Sequence, residues 1–125
     1  MSGIHGIGRT NPIGDGVTQA LHMAINGLDV RQQAIAGNIA NLETPGYLAR
    51  QVSFEDSLRS ALQGGDPTSM AVSVEQSLAP TRINGNNVNI DFELLAQREN
   101  QLRQQLVVQA LSNKYSLLRS AITGQ

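Results

Sequence analysis

From Val17 onward the apolar residues fall at Leu21, Ile25, Leu28, Ile35, Ile39 and Leu42, in alternating steps of four and three, with the polar Gln32 holding one place in the series. Such steps line up on one stripe of an α-helix and form a seam that a second helix can cover. Ala24, Ala34, Ala36 and Ala40 flank the stripe and permit a close helix approach. Asp15 is placed to cap the first turn, since its carboxylate can accept from free N–H groups there. Gly27 breaks the run of helix formers, at a cost of about 1 kcal/mol relative to Ala. The helix must stop near Asn41 to Glu43, because Pro45 disfavours the α conformation at Thr44. Pro45-Gly46 then fits the centre of a type II turn, with Gly46 supplying the positive φ.

Beyond the turn, Val52, Phe54, Leu58, Ala61 and Leu62 are the apolar positions of a segment, residues 51–62, that suits a short helix or an extended arm. Gly64-Gly65-Asp66-Pro67 breaks it. Met70, Val72 and Val74 alternate with Ala71 and Ser73, the period of a short strand, and Asn84-Gly85-Asn86-Asn87 reads as a tight turn. The last segment has the longest periodicity. Phe92, Leu95, Leu102, Leu106, Ala110, Leu117 and Ala121 track one face, which Val107, Leu111, Tyr115, Leu118 and Ile122 widen. Asn89 or Asp91 can cap its start, Asp91 and Glu93 suit the positive end of the dipole, and Arg119 and Gly124 suit the other end.

The pattern predicts a mainly α fold in which long N- and C-terminal helices pair as a coiled coil around a loop-rich middle with room for a short β-hairpin. Residues 1–15, rich in glycine, read as a flexible arm. Residues 16–125 read as one domain: helix 16–42, arm and loop 43–88, helix 90–123. A helix from Asp91 to Ile122 would run about 48 Å at 1.5 Å per residue. Its predicted seam residues are Leu95, Leu102, Leu106, Leu117 and Ile122, facing Leu21, Ile25, Leu28, Ile35 and Ile39 of the first helix. Two helices leave each other half uncovered, and a core this small rarely supplies more than about 3–5 kcal/mol. The stripe therefore points to assembly with neighbouring subunits.

Composition sharpens that reading. The 125 residues include only four aromatics, Tyr47, Phe54, Phe92 and Tyr115, so the apolar content is mostly aliphatic and suits helix seams better than a thick core. Nine basic residues against ten acidic ones give a net charge of −1, and the cations form no block. That argues against nucleic acid as a partner. No apolar run approaches the roughly 20 residues of a membrane span. The first residues lack the pattern of a cleavable signal peptide, so export would need another route.

Candidate chemistry fails on inventory. With no cysteine, thiolate metal sites and Cys nucleophiles are excluded. His5 lies in the arm, and His22 sits beside Leu21 with no carboxylate three or four residues away, so neither has a metal-ligand partner. No Gly-x-Ser-x-Gly elbow and no Walker A loop occurs. Glu55-Asp56 reads as a solvated acidic pair. Neither an enzyme nor a cofactor is expected.

The run Asn38-Ile39-Ala40-Asn41-Leu42-Glu43-Thr44-Pro45-Gly46-Tyr47 closely resembles the N-terminal signature of flagellar axial proteins, the rod, hook and hook-associated subunits. Asn38, Asn41, Thr44, Pro45, Gly46 and Tyr47 carry the likeness, ending the helix, turning the chain and anchoring it. The C-terminal half, Asn86 to Asp91, Glu99 to Arg103 and Lys114 to Leu118, is similar to proximal rod members of that family, and the two matching stretches cover residues 17–62 and 84–124.

The resemblance implies a structural subunit of the basal-body rod, periplasmic after export, and a rod-type domain over residues 16–125. Its implied partners are copies of itself, other flagellar rod proteins, the rod–MS-ring adaptor FliE and the flagellar type III export gate. Phe54 and Leu58 also resemble the Phe-x-x-x-apolar element by which early axial subunits engage that gate, beside a plain packing role. The rival readings are another axial rod or hook subunit, and a cytoplasmic coiled-coil adaptor or export chaperone. The adaptor explains the stripes but not the Asn38–Tyr47 run.

Overall fold

The computed structural model describes residues 15–123. The arm over residues 1–15, with His5, the cap at Asp15 and the role of Gly124 lie outside the described side chains. The described chain is mainly helical with one small sheet. Helix α1 spans Asp15–Ala40, strand β1 Arg50–Ser53, helix α2 Glu55–Gln63, a 3₁₀ turn Pro67–Ser69, strand β2 Ser73–Gln76 and helix α3 Ile90–Thr123.

Helix α1 ends as its sequence demands. Its last turn tightens through Leu42 N–H to Ile39 O (3.2 Å), and Asn41 Nδ2 donates back to Gly37 O (2.8 Å). Thr44-Pro45-Gly46-Tyr47 is then a turn closed by Tyr47 N–H on Thr44 O (3.2 Å), with Gly46 at φ +74°. Positive φ is cheap only for glycine, and that conformation lets the chain reverse in two residues.

Residues 51–62 supply both elements that the sequence left open: a strand, then a short helix. Helix α2 carries Glu55 and Asp56 in its first turn, where acids suit the dipole. It stops in a Schellman arrangement, with Asp66 N–H on Ala61 O (3.0 Å) and Gly65 N–H on Leu62 O (3.1 Å). Asp66 caps the following 3₁₀ turn by accepting from Thr68 N–H (3.1 Å), with Pro67 next to it.

The sheet corrects the expected local hairpin. Both strands lie in the middle segment, but no tight turn joins them: β2 pairs antiparallel with β1, Arg50 opposite Gln76 and Val52 opposite Val74. The whole of α2 is spliced between the two strands, so the pairing was invisible to turn chemistry. Beneath the sheet lies a small core of Leu28, Phe54, Ala61 and Met70, with Met23, Val52, Leu58, Val72 and Val107 packed on it.

Helices α1 and α3 run antiparallel, as bonds from Asn38 to Glu93 and from Asn100 to Leu28 O fix. On α1 the predicted face turns inward: Leu28 and Ile35 are buried, and Leu21, Ile25 and Ile39 are half-buried. On α3 the expected pairing is corrected. Leu95, Leu102, Leu106 and Leu117 are 57%, 56%, 61% and 57% exposed, and Ile122 82%. The face toward α1 is instead Glu93, Gln97, Asn100, Gln104, Val107, Leu111, Lys114 and Leu118, all buried or half-buried and also spaced four and three. Its first four members are polar. Glu93, Asn100 and Gln104 find hydrogen-bond partners on α1 in Asn38, Leu28 O with Gln32, and Asp29, and the wider apolar stripe is left outside.

An asparagine-braced joint and an open helix face

The joint that follows α1 is built from side-chain amides. Asn38, 1% exposed, does not end the helix; it reaches off its side. Its Oδ1 accepts from Arg50 N–H (2.9 Å) and from the Tyr47 hydroxyl (3.2 Å), and its Nδ2 donates to Arg50 O (2.9 Å) and Glu93 Oε1 (3.0 Å). Asn38 therefore behaves as one rung of a missing strand beside β1. Arg31, two turns earlier, supplies the next rung by donating from Nη2 to Val52 O (2.9 Å). Together they cover a strand edge that would otherwise be open to pairing.

Asn86 and Asn87 brace the joint from the other side. Asn86, 0% exposed, donates to Asn41 O (2.9 Å) and Thr44 O (2.8 Å) and accepts from Val88 N–H (2.7 Å). Arg82 donates to Leu42 O and Val88 O, both at 2.6 Å. The carbonyls of Asn41, Leu42 and Thr44, in the chain just past α1, are thus bonded by a loop about 40 residues away in sequence. Asn87 accepts from Ala49 N–H (2.7 Å) and donates to Ser77 O (3.0 Å), extending the strand pair by an amide bridge. The two glycine turns meet here as well: Gly46 N–H donates to Asn84 O (2.8 Å).

A second node ties α2 to both long helices. Arg31 forks onto Glu55 at 2.6 and 2.7 Å, and Arg103 approaches the same carboxylate at 3.1 Å. Hydrogen bonds from Arg31 outweigh desolvation and hold the Glu55 carboxyl down at about 2. The solvated reading of Glu55-Asp56 therefore fits Asp56, whose side chain is 94% exposed, and is corrected for Glu55. The Arg31 guanidinium also lies 4.8 Å from the centroid of the Phe54 ring. That ring sits against Gly27, where an added Cβ would stand 2.5 Å from its carbons. Gly27 is no blemish; it is the seat of the main aromatic anchor. Phe54 is 3% exposed and Leu58 packs on the same core, so both are occupied in the folded chain.

Sequence reasoning missed Arg31, Arg82, Asn86, Asn87, Glu93 and Asn100 as structural keys. The heptad spacing of Glu93, Gln97, Asn100 and Gln104 was the available signal. Glu93 is 4% exposed with one donor, Asn38, and burial raises its pKa above the ordinary carboxylate value. Asn100, 1% exposed, donates to Leu28 O (3.0 Å), while its Oδ1 is buried without a donor. His22 lies on the exposed flank, 3.4 Å from the Tyr115 hydroxyl. Among the described residues no cluster of His, Cys, Asp or Glu could hold a metal ion, and no helix is long and apolar enough to cross a membrane.

The Asn38–Tyr47 run, the stretch whose sequence resembles flagellar axial proteins, is thus the mechanical joint between a seam helix and a folded arm. No protein-family model matches it. Among curated proteins it is 32% identical to the flagellar basal body rod protein FlgB of Bacillus subtilis, over 87% of this chain and 95% of that protein. It is 30% identical to FlgB of Escherichia coli, over 73% and 81% of the two chains, and 31% identical to FlgB of Borreliella burgdorferi, over 69% and 80%. The chain belongs to the FlgB family of flagellar basal body rod proteins. It is a structural subunit of the rod in the bacterial flagellar basal body.

Proposed function

We propose that this chain is a non-enzymatic subunit of the proximal rod, working as one rod-type domain over residues 16–125. It polymerises by helix packing with copies of itself and other rod proteins, and the resulting shaft transmits torque. Other rod proteins continue the shaft, and the adaptor FliE joins it to the MS ring. In the assembled rod its two terminal helices pair as a coiled coil, and their outer faces pack on neighbours. The single observation that carries this reading is the outer stripe of α3: Leu95, Leu102, Leu106 and Leu117 are each more than half exposed along one 34-residue helix. Exposed apolar rows of that length mark association surfaces. Phe54 and Leu58 serve twice, engaging the type III export gate while the chain is unfolded and packing the core afterwards.

Leu106→Arg tests the helix-packing claim. The position is 61% exposed, so the stability of the free chain should change by no more than about 0.5 kcal/mol. Assembly should fail, because burying an unpaired charge at an interface is costly. Cells carrying the variant should export the chain, lack it in purified basal bodies and be non-motile. Normal motility with normal incorporation would refute the assignment of that face.

A further inference from the structure

Two adjoining cavities of about 340 and 360 Å³ open between α1, β1 and the first turns of α3. They share Arg31, Phe92 and Ala96 as walls, forming one groove. Ala34, Ile35 and Val52 line its first half, and Leu95 and Asn100 its second. Glu93 and Asn100, both nine-tenths or more buried, lie along it two helical turns apart. Among the described residues the second oxygen of Glu93 has no partner, and Oδ1 of Asn100 has no donor. The charges facing the groove are Arg31 from α1, Arg50 from β1, Glu55 from α2, Glu75 from β2, and Glu93, Glu99 and Arg103 from α3. Acid is in excess, and Glu55 already occupies two of the arginines. The groove is apolar, slightly acidic and short of donors.

The outer face of α3, beyond the groove wall at Leu95, has the complementary row. Arg98, Leu102 and Gln105 are exposed, and neither Arg98 nor Gln105 makes a side-chain hydrogen bond among the described residues. Arg98 and Gln105 are two turns apart, about 10.5 Å, the same spacing as Glu93 and Asn100. Leu102 lies between them. At 100° per residue Arg98 stands about 140° around the helix from Glu93, so one copy cannot satisfy its own groove.

We propose that the Arg98–Leu102–Gln105 row of a second copy docks in this groove, Leu102 meeting Phe92 and Ala96 while the two donors reach Glu93 and Asn100. The proposal rests on the rod-subunit reading and names the residues of one contact within it. Because the two surfaces differ, the contact is heterologous, and repeating it extends a helical polymer without closing it.

The natural chain has no cysteine, so a pair carrying Ala96→Cys and Leu102→Cys tests the contact without background. The two positions are too far apart on one helix to bridge within a chain. Basal bodies purified from native cells expressing the double variant, oxidised and run without reductant, should show a ladder of multimers of this chain. Basal bodies that contain the variant but show no ladder overturn the groove contact and leave the rod reading standing. If the wild-type chain is itself absent from basal bodies, the rod reading falls and takes the contact with it. Arg98→Glu is a surface change that decides the matter independently should the cysteine chain not incorporate. It should lower incorporation about tenfold or more through like-charge contact with Glu93. Incorporation of Arg98→Glu at the wild-type level overturns the proposal.

Discussion

Gly27→Ala reverses the sign that helix propensity assigns to it. Propensity alone predicts a gain of about 1 kcal/mol for Ala inside a helix. The packing predicts a loss. A Cβ at this position would lie 2.5 Å from Cγ and Cδ1 of Phe54 and 2.6 Å from Cδ2, well inside any tolerated contact. The ring cannot easily yield, since it is 3% exposed, packs with Leu28, Ala61 and Met70, and has the Arg31 guanidinium 4.8 Å from its centroid. Overpacking of this kind costs about 1–3 kcal/mol, and contact at this depth belongs near the top of the range. Set against the propensity gain, the net loss is about 1–2 kcal/mol, roughly 4–8 °C in Tm for a chain of this size.

Urea and thermal unfolding of the purified chain, followed by circular dichroism, measure it. Gly37→Ala is the internal control. An added Cβ there meets only the Tyr47 hydroxyl at 3.7 Å, an ordinary contact, so that variant should gain up to about 1 kcal/mol. In a Phe54→Leu background the penalty at Gly27 should shrink, giving a coupling of about 1 kcal/mol or more between the two sites. If Gly27→Ala stabilises the chain as much as Gly37→Ala does, the seat of Phe54 has been misread.

Three further outcomes follow from the joint and the Arg31 node. Asn86→Ala removes the second donor from the Asn41 and Thr44 carbonyls just past α1 and leaves the buried Val88 N–H without its acceptor, and should cost about 2–4 kcal/mol in urea unfolding; a loss below 1 kcal/mol would mean water replaces the amide freely. Gly46→Val forces a β-branched residue to φ +74° and should cost about 1–3 kcal/mol, so an unchanged midpoint would refute the turn. Glu55 has a folded pKa below its ordinary 4.5, at about 2, so its contribution is present above pH 4.5 and is lost as pH falls toward 2. Glu93 acts in the opposite sense: its pKa is raised, so protonation favours the fold and stability falls as pH rises through its folded value. Glu55→Gln should therefore flatten the acid limb of a stability–pH curve, and an unchanged limb would remove Glu55 from the account.

The sequence made some elements legible because their cause is local. The stop at Asn41 to Glu43 and the turn at Pro45-Gly46 follow from proline sterics and glycine freedom, and both could be placed without knowing any neighbour. The break at Gly64 to Pro67 is of the same kind. The inner face of α3 was not legible, because the reading assumed that the wider apolar stripe is the buried one. Glu93 and Asn100 face inward for partners on α1, and a hydrogen-bonding partner 55 or 72 residues away leaves no mark on local periodicity. Gly27 was misjudged for the same reason, since its meaning lies in the Phe54 ring and not in its own helix. The strand pairing of residues 50–53 with 73–76 crosses an intervening helix, beyond the reach of turn signals.

The most direct test of the central claim is thiol protection at the outer face of α3. Leu106→Cys, the only thiol in the chain, should react freely with a maleimide in the purified subunit, where the position is 61% exposed. In intact basal bodies it should be protected by roughly tenfold or more, as burial of that stripe against a neighbour requires. Equal labelling of the free subunit and the assembled rod would contradict the account, leaving the stripe outside the packing that holds the rod together.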